Sequence, residues 1–193
     1  MCDSKQLSRV KDNNGNKRQE KVAKVVRYDM NIRGAYLAQV IPIEELVKDI
    51  ISYHFCCYEG KRKQFVSLIL NGTDYTFASG INILEKLLKI GYPDLSQPYP
   101  KLINDLDKIR RFCNALVHSM LDTSDEFLAK NYTDRIRLIS YDERGQTNYR
   151  DITRSEIDER LEDCLDVHFA LVDIRAQVRD CILTEAEQNK TNP

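Results

Sequence analysis

Four polar side chains recur at helical spacing in the middle of the chain: Asp107, Arg111, Asn114 and His118. Successive residues of an α-helix rotate by about 100°, so these positions share one helix face over about three turns. Asn104, three residues before Asp107, is a fifth member of the same stripe. Histidine is the only residue type in the stripe whose ordinary pKa lies near neutral pH. The spacing therefore predicts a proton-transfer group and a permanent cation on one side of a helix.

These residue types suit the cleavage of RNA through its own 2′-hydroxyl. That reaction needs one group that moves protons. Histidine suits this role because its ordinary pKa lies near the working pH, which makes His118 the candidate. The reaction also needs a group that stabilises the phosphorane, and the guanidinium of Arg111 matches phosphate oxygens. Asn114 would orient the imidazole or bind the ribose, and Asp107 would hold Arg111, with Arg110 as a second supporting residue. No metal or other cofactor is required by this chemistry.

A solvated helix face is the alternative interpretation of the same stripe, because amphipathic surface helices carry such residues opposite their apolar side. His54 and His168 lie among apolar positions, which predicts hydrogen-bonded core histidines, although either could approach the site from a neighbouring helix. The three histidines have no short ligand spacing, so no metal centre is predicted.

Apolar periodicity predicts a helical bundle that positions the stripe. Five helices are predicted. The first begins near Pro42, the second covers about 61–70, and the third runs from about Ser79 to Gly91. The fourth covers about 101–121, and the last begins near Thr153 or Ser155. The apolar side of the helix that carries the stripe is predicted to contain Leu102, Leu106, Ile109, Cys113, Leu116, Val117 and Met120. The apolar side of the last helix is predicted to contain Ile157, Leu161, Cys164, Leu165, His168 and Val172.

A β-hairpin is predicted late in the chain. Residues 135–141 alternate between apolar and polar types, 142–145 have the composition of a turn, and 147–152 can return as a partner strand. The predicted fold class is therefore mainly α, a helical bundle with one late hairpin and a long C-terminal helix. The predicted organisation is a polar basic tail over 1–27, a single helical domain over 28–185, and a C-terminal tail over 186–193.

Length and composition limit the class of protein. The chain has 193 residues, 42% of them hydrophobic and 31% charged, which is typical of a folded domain. A net charge of −1 argues against a protein that coats long nucleic acid by bulk charge. The tail has eight basic residues against three acidic ones, so it would either bind a phosphate backbone or remain solvated.

Location and thiol chemistry follow from two further patterns. No apolar run approaches the roughly 20 residues that cross a membrane and no start resembles a signal peptide, so a cytoplasmic protein is expected. The six cysteines contain no C-x-x-C pair, which predicts free and mostly buried thiols rather than a zinc site.

Residues 108–119, with the sequence KIRRFCNALVHS, resemble the signature helix of the HEPN superfamily (higher eukaryote and prokaryote nucleotide-binding domains). That family is recognised by an arginine, four to six residues and a histidine, most often as R-N-x-x-A-H. The upstream segments IEELVKDIISYHF, KRKQFVSLIL and FASGINILEKLLKIG match the order of helices in small bacterial HEPN-like proteins. The resemblance covers about residues 42–120.

The resemblance implies an α-helical protein that dimerises and a metal-independent endoribonuclease of a toxin–antitoxin, phage-defence or CRISPR-linked system. His118 takes the place of the catalytic histidine and Asn114 that of the polar residue after the arginine. Cys113 stands where the commonest form has arginine, while Arg111 satisfies the looser spacing. Arg111 is rotated only about 20° from His118, whereas the common spacing corresponds to about 140°.

The implied partners are single-stranded RNA, a second copy of the chain, and an antitoxin or regulatory protein, with no membrane. The alternative function is a non-catalytic dimeric module of the same fold that binds RNA or protein, because Cys113 replaces the usual arginine.

Overall fold

The computed structural model is mainly helical and describes residues 4–56, 58–130 and 132–191, with side chains described for 15–56, 58–130 and 132–184. The helices are α1 (Ser4–Phe55), α2 (Glu59–Phe65), α3 (Phe77–Gly91), α4 (Pro93–Ser96), α5 (Leu102–His118), α6 (Asp125–Ala129) and α7 (Arg154–Thr191). The strands are β1 (Met120–Leu121), β2 (Arg135–Tyr141) and β3 (Thr147–Thr153). The predicted fold class is confirmed: mainly helical, with the late hairpin and a long C-terminal helix.

The chain divides into two compact units. Unit 1 consists of Met1–Tyr36 and Ala115–Glu159, and unit 2 consists of Leu37–Asn114 and Arg160–Pro193. Helices α1, α5 and α7 each contribute residues to both units. The sequence predicts a single domain over 28–185 and does not predict this division.

Helix α1 begins much earlier than the sequence predicts. The segment predicted as a polar tail is helical from Ser4 onward, and Pro42 lies inside the helix, so the predicted start at Pro42 is wrong. A proline inside a helix removes one backbone hydrogen bond and costs about 3 kcal/mol. Burial of Val40 and Ile43 on either side of the exposed proline offsets this cost. At the other end of the chain, the predicted C-terminal tail is helical as far as Thr191.

Helices α2 and α3 form close to their predicted positions in unit 2. The segment predicted at 61–70 is α2 followed by a π-helical turn over Val66–Leu70. Helix α3 begins at Phe77, two residues before its predicted start near Ser79, and is capped by Thr76. The Thr76 hydroxyl accepts from the Ser79 amide at 3.1 Å, and the Ser79 hydroxyl accepts from the Thr76 amide at 2.8 Å. This reciprocal capping box places Ser79 three residues into the motif.

The buried side of α5 is rotated from the predicted one. It consists of Leu102, Leu106, Ile109, Phe112 and Leu116. Val117 and Met120, which the sequence places on the buried side, are 47% and 55% exposed. The predicted extent to 121 is also too long, because the helix ends at His118 and Met120 begins strand β1.

Unit 1 contains a three-stranded antiparallel sheet with the order β1-β2-β3. The predicted hairpin is β2 and β3, in which Ile136 pairs with Ile152 on the buried face. The two residues of β1 add a third strand that the sequence does not predict, because a two-residue strand carries no detectable alternation. At the hairpin turn, Gly145 adopts a φ of 73°, which glycine tolerates without strain.

The apolar side of α7 also differs from its prediction. Its buried residues are Ile157, Cys164, Val167, Ala170, Leu171, Ile174 and Val178. Leu165 is 43% exposed, while His168 and Val172 are half-buried. Along the described parts of the chain, no helix combines the length and the apolar character needed to cross a membrane.

Candidate functional site

The predicted stripe occupies the solvent side of α5. Arg111, Asn114 and His118 are exposed and Asp107 is half-buried, whereas Ile109 on the opposite side is 1% exposed. On a helical wheel the four stripe positions lie about 140° to 180° from Ile109. Their side chains are therefore accessible to a ligand from solvent.

The division into units falls within this stripe. Asp107, Arg111 and Asn114 belong to unit 2, whereas His118 belongs to unit 1. The joint action of Arg111 and His118 on one phosphate therefore stays a prediction.

In unit 2, the Asp107 carboxylate binds two guanidinium groups. Arg110 donates to Oδ1 from Nη2 at 2.6 Å and from Nε at 3.0 Å. Arg111 contacts Oδ2 through Nε at 2.7 Å, so the predicted contact between Asp107 and Arg111 is present. The hydrogen bonds from Arg110, with the charges of both arginines, hold the pKa of Asp107 below its usual value. The three side chains together carry one positive charge, and the Arg111 side chain is 74% exposed.

The same carboxylate lies at a cavity of about 500 Å³ between α3 and α5. Its polar lining consists of Asn82, Glu85, Asn104, Asp107 and Arg110. Amide, carboxylate and guanidinium groups can together recognise a polar ligand. The supporting residues Asp107 and Arg110 therefore face a cavity.

Cys113 has a different environment from the stripe. The residue is half-buried, and burial, with a smaller contribution from the charge of Glu44, raises the pKa of its thiol. The thiol is therefore neutral at physiological pH. The position that carries arginine in the common HEPN motif thus contributes no positive charge in this chain.

In unit 1, His118 is the last residue of α5 and is exposed. Its imidazole makes no hydrogen bond or ion pair with any side chain that the structure describes. The backbone next to it is held by α1, because Arg33 Nη2 donates to the Ser119 carbonyl at 3.2 Å. Arg33 is itself fixed by the buried carboxylate of Asp29, whose Oδ1 and Oδ2 accept from Nε at 2.8 and 2.9 Å.

Arg33 is a site residue that sequence reasoning missed. It is 86 residues from Ser119, and no local pattern connects it with the end of α5. The spacing of four residues between Asp29 and Arg33 predicts at most an ion pair along one helix face.

The other two histidines belong to unit 2. The predicted hydrogen-bonded interpretation of His54 is confirmed, since its half-buried ring lies 3.1 Å from the Tyr92 hydroxyl through Nδ1. The half-buried ring of His168 packs edge-on against Phe169, with the ring centroids 5.9 Å apart. Whether either approaches His118 stays a prediction.

The cysteines fit the predicted free thiols in part. Cys164 is buried, Cys56 and Cys113 are half-buried, and Cys181 is exposed, while Cys2 and Cys57 lie outside the described residues. Among the described residues, no group of three or more His, Cys, Asp or Glu side chains could hold a metal ion.

Comparisons of the chain with protein-family models, curated proteins and solved structures found no match. Membership of the HEPN superfamily therefore stays a prediction that rests on the motif around His118 and on the order of the helices.

Proposed function

We propose that this chain is a HEPN-like protein that acts on RNA and cleaves single-stranded RNA without a metal ion. The observation that carries the proposal is the exposed His118 imidazole at the end of α5, which has no partner among the described side chains. An imidazole that is not engaged by the protein is free to exchange a proton with a bound ligand. Arg33 orders the backbone beside it.

In this proposal the site residues serve cleavage of the RNA through its own 2′-hydroxyl. The 2′-oxygen attacks phosphorus, its proton leaves, and the 5′-oxygen departs with a proton, which yields a 2′,3′-cyclic phosphate and a 5′-hydroxyl. His118 acts as general acid or base in these transfers. Arg111 stabilises the charge of the phosphorane, and Asn114 orients the imidazole or binds the ribose. Asp107 holds Arg111 through Oδ2, and Arg110 supports the site by binding Oδ1 of the same carboxylate.

We place the protein in the cytoplasm as a homodimer of a toxin–antitoxin or phage-defence system, with an antitoxin or regulatory protein as a further partner. The homodimer, the defence setting and the further partner follow from the HEPN resemblance, and the location follows from the sequence expectation given above.

A second candidate function is a non-catalytic module that binds RNA or a partner protein. Two observations favour it. Cys113 is a neutral thiol at the usual arginine position, and Asp107 offsets part of the positive charge that Arg110 and Arg111 supply. Such a module would retain binding and lack the transition-state stabilisation that cleavage needs.

End-labelled single-stranded RNA incubated with the protein in EDTA tests the proposal. We expect cleavage that leaves a 2′,3′-cyclic phosphate, no cleavage by His118→Ala, and about a 10²- to 10³-fold loss of rate in Arg111→Ala. Lys61→Ala, an exposed substitution in α2, is the control and should cleave at the wild-type rate.

Two results would argue against cleavage by this site. Cleavage that persists in His118→Ala would overturn the assignment of the catalytic residue. RNA binding by the wild type without cleavage would favour the second candidate.

A further inference from the structure

Unit 1 contains a cavity of about 300 Å³ that the proposed site does not use. Helix α1 contributes Lys21 and Lys24 to its lining, and the segment around α6 contributes Phe127 and Tyr132. Its volume is at the lower end of the range for small-ligand sites, about 300 to 1,000 Å³. The cavity is thus large enough for a single planar group, with cations on one side and aromatic rings on the other.

The α1 side of the cavity is positively charged. Residues 15–30 contain five basic residues and two acidic ones, a local net charge of +3. Lys21 and Lys24 are exposed and are three positions apart, so they lie on the same helix face. Neither forms an ion pair with a side chain that the structure describes. Of the acidic residues in this stretch, Asp29 is buried against Arg33, which leaves Glu20 at the cavity. This distribution favours a phosphate.

The opposite side of the cavity presents an immobilised aromatic ring. The guanidinium carbon of Arg135 lies 4.5 Å from the centre of the half-buried Tyr132 ring. The buried Phe127 ring packs against Tyr132 with 5.7 Å between the ring centroids. A ring held in this way offers a stacking surface at a low cost in conformational entropy.

The outer face of the sheet continues this pattern. Arg137 lies over two rings, 5.2 Å from the centre of Phe127 and 5.8 Å from that of Tyr149. Asp151 holds Arg137 through Oδ1 and Nε at 2.6 Å. The side chain of Tyr149 is 62% exposed and therefore provides a second stacking surface. Asp134 and Asp151 pair with Arg135 and Arg137, so these arginines position the rings and leave the phosphates to the α1 lysines. Since stacking on a side chain needs unpaired bases, the two rings favour a single strand over a duplex.

The strand register leads from Tyr149 toward His118. Tyr149 pairs with Ile139, which pairs with Met120, two residues after His118. Directly paired residues share a sheet face, and two strand spacings are about 10 Å. Met120 and Tyr149 are both exposed on this face. A strand of RNA bound along it would thus extend toward the histidine.

We infer that this cavity and the adjoining sheet face bind single-stranded RNA, with one base against Tyr132, phosphates at Lys21 and Lys24, and a further base on Tyr149. The inference rests on the proposed function and names the surface that positions its substrate. It gives unit 1 a substrate-binding role separate from the proton transfers at His118.

Fluorescence anisotropy with a labelled short single-stranded RNA tests this site. The His118→Ala background in EDTA keeps the RNA intact. We expect Tyr132→Leu to weaken binding about tenfold or more, because it removes one stacking surface, and Tyr132→Phe to bind as the parent does. The double variant Lys21→Glu/Lys24→Glu should also weaken binding about tenfold or more and reduce its salt dependence.

A charge-matched double variant in unit 2, Lys61→Glu/Lys63→Glu, is the control, since both lysines are exposed in α2. The affinity of this control for RNA should fall less than the affinity of Lys21→Glu/Lys24→Glu. Equal losses in the two double variants, or unchanged binding by Tyr132→Leu, would overturn the site. So would equal affinity for the duplex form of the same RNA.

Failure of this site differs from failure of the proposed function. If the wild type cleaves RNA and the cavity variants cleave at the same rate at limiting RNA, the site is wrong and the function stands. If the cavity variants lose binding while the wild type never cleaves, the site stands and the nuclease proposal is wrong.

Discussion

Asp107 belongs to the candidate site and also forms ion pairs that bear on the stability of unit 2. Its carboxylate accepts from Arg110 and contacts Arg111 on one face of α5. The side chain is 33% exposed, so solvent screens these ion pairs and each contributes little to the free energy of unfolding. Its main effect is to restrict the two guanidinium groups.

We predict that Asp107→Asn lowers the free energy of unfolding by less than about 1 kcal/mol near neutral pH. The pKa of Asp107 is lowered in the folded protein, so its contribution is present above the ordinary carboxyl pKa and is lost as the pH falls through the folded value. The difference between the variant and the wild type should therefore shrink below about pH 4. Urea unfolding at neutral and acidic pH measures it.

Asp74→Asn is the control for this measurement. Asp74 is exposed and has no ion pair within the described parts of the chain. Its substitution should leave the unfolding free energy nearly unchanged at both pH values. A difference for Asp107→Asn that grows as the pH falls would contradict the assigned ion pairs.

Helix α3 contains a close approach that requires glycine. A Cβ on Gly80 would clash with the hydroxyl of Tyr75 and would lie 2.9 Å from its Cζ. The Tyr75 hydroxyl is buried and has no hydrogen-bond partner among the described residues. Burial also raises the pKa of Tyr75, so the side chain stays neutral.

We predict that Gly80→Ala destabilises the protein by about 1 to 3 kcal/mol through overpacking. Tyr75→Phe removes a buried hydroxyl without a partner and should be neutral or slightly stabilising. In the Tyr75→Phe background, Gly80→Ala should cost less, because the clashing oxygen is gone while the ring carbon remains. Thermal or urea unfolding of the four proteins measures this coupling. Strictly additive effects would contradict the contact.

The elements show where local patterns suffice. The hairpin and α3 follow from alternation, turn residues and capping groups that are close in sequence. The start of α1 does not follow from such a pattern. Proline is common at the first position of a helix, but Pro42 lies inside α1. Nor does the pairing of the two-residue strand β1 with β2 follow from a local pattern, because even the nearer pair, Leu121 with Leu138, is 17 positions apart in the sequence.

At the scale of the whole molecule, the two units divide the proposed chemistry. Unit 1 contains His118, Arg33 and the aromatic cavity, whereas unit 2 contains Arg111, Asn114 and the Asp107 cluster. The HEPN resemblance further implies that two signature helices meet in a dimer, so that the proposed site would depend on a second copy of the chain.

We predict a homodimer in solution. Light scattering coupled to size exclusion should give a mass about twice the 22.5 kDa of one chain. A monomer at all accessible concentrations would contradict this expectation.

The sequence by itself determined the helical class, the late hairpin and the polar stripe from Asp107 to His118, because each depends on periodicity between neighbouring residues. It also predicted the contact of Asp107 with Arg111, which are one helical turn apart. Only the tertiary structure decided that Phe112 rather than Val117 is buried, that Arg33 binds the Ser119 carbonyl, and that Tyr132 lies under Arg135 beside the α1 lysines. Which flank of an apolar stripe is buried, and which distant groups meet, depends on the packing of other elements, and no local spacing records it.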